Sequence, residues 1–176
     1  GLQECLRGLI DTTLSSDDEE AMSLVAEGCT RLAVQHQVRL LDDVVHPVLL
    51  RAEEALKMLP IAGAVLSEQG ALALQALGRY LHVLQVILRF CDAPTNDGSP
   101  HPAAQIIGAV SPFLERVSQR TSQFDFIFEK LLGIQQQLLR NAPAIAAPHL
   151  QGTVKYVVEA FEAKQQAACL EYFSTA

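Results

Sequence analysis

The sequence predicts an all-α protein, built as a right-handed α-solenoid of antiparallel helix pairs with about four repeats. Three observations carry that expectation. Of the 176 residues 49% are apolar but only 6% aromatic, with no Trp and with Leu and Ala dominant, a composition that suits packed helices. Apolar residues recur three and four apart through almost the whole chain, and no stretch alternates as a strand would. An apolar run followed by Pro-x-Leu occurs three times, at Pro47, Pro112 and Pro148. A proline inside a helical pattern removes one backbone donor and bends the helix or sets its first turn, so three such sites mark a repeated unit.

The elements follow in order. Leu2, Leu6, Leu9, Ile10 and Leu14 give a first helix with one buried face. Ser16-Asp17-Asp18-Glu19 reads as a capping box opening a second helix that runs to Gln35, with Met22, Val25, Cys29, Leu32 and Ala33 inward. A third helix starts at Val38, passes through Pro47 and reaches Met58, burying Leu41, Val44, Val45, Val48, Leu49 and Leu56. Pro60 and Gly63 interrupt the pattern, and Ser67 caps the longest helix, which extends to Cys91 with Leu74, Leu77, Leu81, Leu84 and Leu88 on one face. Its other stripe is Gln75, Arg79, His82, Gln85 and Arg89.

Asp92 to Pro102, with three prolines and an Asn-Asp-Gly turn, is a surface loop between helices whose last proline starts the next helix. That helix ends near Arg120. Ser122-x-x-Asp125 reads as a second capping box before a helix from Phe124 to Arg140, with Phe124, Ile127, Phe128, Leu131, Ile134 and Leu138 inward. Ala144 to Ala163 forms the third proline-bearing helix, with Val154, Val157, Val158 and Phe161 apolar, and Gln165 to Phe173 begins another.

Helix pairs at intervals of about 40 to 47 residues are the mark of HEAT-type solenoids. Pro112 and Pro148 are 36 residues apart and Pro47 and Pro112 are 65 apart. The longer interval holds the Pro60 to Gln69 segment and the Asp92 to Pro102 loop, about 21 residues together, whose removal restores the period. Residues 1–176 are therefore expected to form one HEAT-repeat segment. Because the chain opens at Gly1 and enters a helical pattern at once, it is read as a piece of a longer solenoid.

Thirteen Lys and Arg against 20 Asp and Glu give a net charge of −7, which argues against direct nucleic-acid binding through phosphate neutralisation. The uncharged run from Met58 to Ser67 is too short for a bilayer, which needs about 20 residues, so no membrane is expected. Cys5, Cys29, Cys91 and Cys169 are scattered and fit small buried residues in a reducing compartment. Phosphate-cradling, dinucleotide, zincin and nucleophile-elbow motifs are missing, and the five histidines stand singly, so neither an enzyme nor a cofactor or metal is expected. The acidic run Asp17 to Glu20 either complements the helix dipole or attracts a basic peptide.

Arg79 to Arg120 resembles the importin-β-type nuclear transport receptors of the transportin-SR and importin-13 branch. The resemblance rests on Arg79, Phe90, Asn96, Gly98, His101, Pro102, Ile107, Pro112 and Leu114, on a helix, a loop and a helix with an internal proline. More weakly, Glu20 to Leu56 is similar to the repeat before, and Gln165 to Ser174 to the repeat after.

The resemblance implies a middle-to-late portion of a receptor that carries protein cargo through the nuclear pore. It further implies a RanGTP-dependent cycle, Ran contacts outside this segment, nucleoporins as further partners, and shuttling between cytoplasm and nucleus. Matching the tetrapeptide Ile127-Phe128-Glu129-Lys130 to the arginine-rich helix of transportin-SR puts its basic positions at Lys130, Gly133, Gln136 and Arg140, of which only Lys130 and Arg140 are basic. That tetrapeptide is closer to importin-13, and a ridge for phosphorylated Arg-Ser cargo is incomplete. The candidate cargo-binding residues are Arg79, His82, Gln85, Arg89, Lys130, Gln136 and Arg140, for basic or Arg-Ser-rich protein cargo. The alternative is a HEAT scaffold for protein complexes with no Ran dependence.

Overall fold

The computed structural model describes residues 1–36, 39–60, 64–91, 101–164 and 174. These residues are helical with short connections, and no strand occurs among them. The helices are α1 (Leu2–Leu14), α2 (Glu19–Gln35), α3 (His46–Met58), α4 (Glu68–Phe90), α5 (Pro102–Arg120), α6 (Asp125–Asn141) and α7 (Pro143–Lys164), with a π-helical turn at Leu41–Val45 leading into α3. Asn96, Gly98 and most of the Asp92 to Pro102 loop lie outside the described residues, as do Val38, the expected start of the third helix, Gly63, Cys169 and the helix expected from Gln165 to Phe173.

The start of α2 differs from the expected capping box by two residues. Asp18, not Ser16, occupies the N-cap, and its carboxylate accepts from Ala21 N at 3.0 Å. Ser16 Oγ instead accepts from Asp18 N, holding the cap residue itself. The carboxylate is the stronger acceptor for a free backbone donor at the positive end of a helix. At α6 the N-cap is Phe124, whose side chain makes no cap bond, so the box expected from Ser122 begins too early. Ser67 caps α4 as expected, accepting from Gly70 N, and His101 Nδ1 accepts from Ala103 N ahead of Pro102 in α5.

The three prolines are handled in two ways. Pro112 and Pro148 lie inside α5 and α7. Pro47 sits in the first turn of α3, directly after the π-turn, where His46 N donates to Leu41 O five residues back. Pro47 has no N–H for Asp43 O, and widening the preceding turn moves that carbonyl away from the ring.

α4 is the central helix, packed against α2, α3 and α6. Its expected leucine stripe is fully inside, from Leu74 to Leu88, joined by Ile87 and Val83. It is also long and apolar enough to cross a bilayer, but half of that apolar stretch is buried against its helical neighbours. α1, α3 and α5 touch in that order and α2, α4 and α6 likewise, each of α1, α3 and α5 also meeting the even helix that follows it, while α7 packs on α6.

Some expected core positions lie at the surface. Leu2, Leu9, Leu32 and Val158 are exposed, while Ala26, Thr30, Ala52 and Ala55 are buried instead. Small residues let the helices approach closely, and the bulkier side chains one step around the helix are left at the flank. One core joins α1 through α6 and takes in Ala146 in the first turn of α7; a second cluster of Phe128, Leu132 and Val157 fastens the later part of α7 to α6.

Candidate functional site

The row α2, α4, α6 brings three of the nominated residues together around the first turn of α2. Arg79 of α4 donates from a terminal guanidinium nitrogen to Asp17 Oδ1 at 2.9 Å. Lys130 of α6 reaches Glu19 Oε1 at 3.0 Å. His82 stands between them, with Nε2 at 3.0 Å from Ser23 Oγ and 3.8 Å from Glu19 Oε1. All three basic side chains are half-buried, whereas Asp17 is 91% exposed.

The acidic run therefore has a third role beside the two the sequence left open: it neutralises cations on α4 and α6. The Lys130 ammonium donating to its carboxylate holds Glu19 below the usual carboxylate range, against partial burial, which pushes it up. Burial lowers His82, aided by the Lys130 charge and opposed by Glu19. Because Ser23 Oγ gives its own proton to Glu19 O, the ring nitrogen Nε2 is left as the donor in the His82–Ser23 contact.

Ser23 uses its own proton on Glu19 O, at 2.8 Å. A hydroxyl that donates to a main-chain carbonyl and accepts from the imidazole is not activated as a nucleophile, because the base must take that proton. Ser23, His82 and Glu19 form a structural polar knot. Among the described residues no three His, Cys, Asp or Glu side chains gather where a metal could be held.

Gln85 faces the same row and lies on Gly133 of α6, where an added Cβ would stand 2.8 Å from its amide nitrogen. Gly133, one of the positions expected to be basic, is thus occupied by the Gln85 amide. Arg89 is not part of the knot. It is exposed, 5.3 Å from the Phe90 ring centroid, a ring that Arg31 of α2 also covers at 4.5 Å. Gln136 is half-buried on α6, and Arg140 is exposed in its last turn with no ion pair among the described residues.

Sequence reasoning missed Asn141, whose amide donates to Leu88 O at 2.6 Å and Arg89 O at 3.0 Å, tying the end of α6 to the end of α4. It also missed the ion pair of Arg7 with buried Asp43. Neither pairing has a signal within its own helix.

The knot makes stability depend on pH. A folded-state His82 value below the ordinary 6.5 means that the unfolded chain binds the proton more readily, so stability falls as pH drops below about 6.5. Glu19, depressed below 4.5, acts in the same direction at lower pH: its contribution is present above that value and is lost as the carboxylate protonates. Urea midpoints should therefore decline between about pH 7 and pH 5, with a smaller decline in His82→Gln. An identical decline in that variant would remove His82 from the account.

Comparison with family models, with curated proteins and with solved structures returns no match.

Proposed function

We propose that the chain is a right-handed HEAT-type solenoid segment of a nuclear transport receptor, and that the α2–α4–α6 row lies on its concave surface and contacts protein cargo. The single observation that carries this reading is the ordered contact of odd and even helices in two rows. A solenoid buries the apolar face of each repeat only against its neighbours, which requires such rows. The likeness of Arg79 to Arg120 to the transportin-SR and importin-13 branch supplies the transport role. RanGTP and nucleoporins engage other parts of the longer receptor, which shuttles between cytoplasm and nucleus.

The pairing of Arg79 with Asp17 and of Lys130 with Glu19 refines the cargo surface. These cations hold the row together, and Arg89 and Arg140 are the ones left for cargo. Charge reversal at Arg89 and Arg140 is expected to weaken cargo binding about tenfold without changing the melting temperature, whereas reversal at Arg79 and Lys130 also lowers stability.

Pull-down with GTP-locked and GDP forms of Ran tests the transport role: the intact receptor should bind cargo only without RanGTP. Cargo retention in both nucleotide states would favour the scaffold reading, which the internally paired, mixed-sign face supports.

A further inference from the structure

We propose that the groove between α5 and α7 is a docking site for an amphipathic helix of another protein, one that carries a Lys or Arg at the edge of its apolar face. This site lies on the opposite flank of α6 from the α4 contacts and does not rest on the transport reading.

The groove encloses about 540 Å³. It exists because only the first turn of α7, at Ala146, joins the main core that holds α5, while farther along α7 is fastened to α6 through the separate cluster of Phe128, Leu132 and Val157. The two helices flank α6 without closing on one another. Leu131, Leu132 and Leu138 of α6 form the floor, and Leu114 projects from the α5 wall.

Three features select the occupant. Ser111 and Ser118 stand one heptad apart on the α5 wall, and these small side chains leave recesses on either side of Leu114 that suit the ridges of a helix. The lining of α5 runs from Ile107 to Ser118, about 16 Å or three helical turns. All the walls are helices whose main-chain groups already bond within themselves, so an extended peptide would bury unpaired amides while a helix satisfies its own.

Charge then sets the sign. Glu115 lies on the groove edge, exposed and without an ion pair among the described residues. Among the described residues it is the only charged one lining the groove, and the chain's net charge of −7 steers basic partners toward it.

The test uses the whole chain and a labelled synthetic amphipathic helix of Leu and Ala with one Lys beside its apolar face, followed by fluorescence anisotropy. Saturable binding is expected. Ser118→Trp, which fills the recess at a half-exposed position, should weaken it at least about tenfold with the helical circular dichroism unchanged. Glu115→Lys should weaken it about fivefold, and a peptide with Glu in place of its Lys should recover the loss on that variant. Equal binding of both peptides to the wild type, or binding indifferent to Ser118→Trp, would overturn the proposal. Self-association that Ser118→Trp abolishes would also overturn it, by making a second copy the occupant.

Discussion

Replacing Leu84 by Ala is expected to destabilise the protein by about 2 to 5 kcal/mol, the range for emptying a buried leucine site. Leu84 is 0% exposed and sits in the second half of α4, the helix that α2, α3 and α6 all touch. The cost should lie toward the upper end because the walls cannot collapse. Asn141 ties α6 to the end of α4, and Lys130 ties α6 to α2, so neither neighbour is free to move inward. For a chain of this size each kcal/mol corresponds to about 2 to 4 °C in melting temperature.

Two comparisons make the result specific. Leu114, also buried, lines the α5–α7 groove, so a cavity there opens to solvent and its truncation should fall at the lower end of the range. Leu24, 64% exposed on α2, should change stability by less than about 0.5 kcal/mol when replaced by Ala. A melting temperature of Leu84→Ala no lower than that of Leu24→Ala would contradict the central position of α4.

The helices were legible because their period was unbroken. Leu74, Leu77, Leu81, Leu84 and Leu88 follow the helical repeat with no interruption, and all five are buried. The period fails where the backbone departs from it. The π-turn at Leu41–Val45 inserts extra backbone per turn, so residues after it are rotated relative to a 3.6-residue count, and Asp43 lands inside among valines. No count along the chain anticipates that.

The candidate site was legible only as a stripe. Arg79, His82 and Gln85 share a face of α4 by spacing alone, and all three meet α2 or α6. Their partners come from helices whose lateral order depends on packing, so the link from Asp17 to Arg79 and from Glu19 to Lys130 has no sequence signature. Arg89 and Arg140 carry the same charge and a compatible spacing, yet the described structure leaves them outside the knot, because α2's acidic turn reaches only the middle of α4 and the start of α6.

The buried carboxylate gives the second large effect: Arg7→Met is expected to cost about 3 kcal/mol, near the low end for breaking a buried ion pair. Two guanidinium nitrogens of Arg7 approach Asp43 Oδ1, each at 2.7 Å, while the Asp43 side chain is only 2% exposed and its Oδ2 has no hydrogen-bond partner among the described residues. Removing the guanidinium leaves a charge among Val44, Val45 and Val48 that water reaches poorly. The low end applies because Arg7 is itself 55% exposed, so some water can follow the lost side chain.

Asp43→Leu should be milder, since the freed Arg7 can turn into solvent. The double variant Arg7→Met with Asp43→Leu should regain most of the loss, because an apolar pair of similar volume needs no desolvated charge. A double-mutant cycle from urea unfolding reads this directly as a coupling between sites 36 residues apart on α1 and the π-turn. Strictly additive single losses would show that the pair contributes nothing beyond its separate side chains, and that α1 is held to the α3 side by Leu6, Ile10 and Leu14 alone.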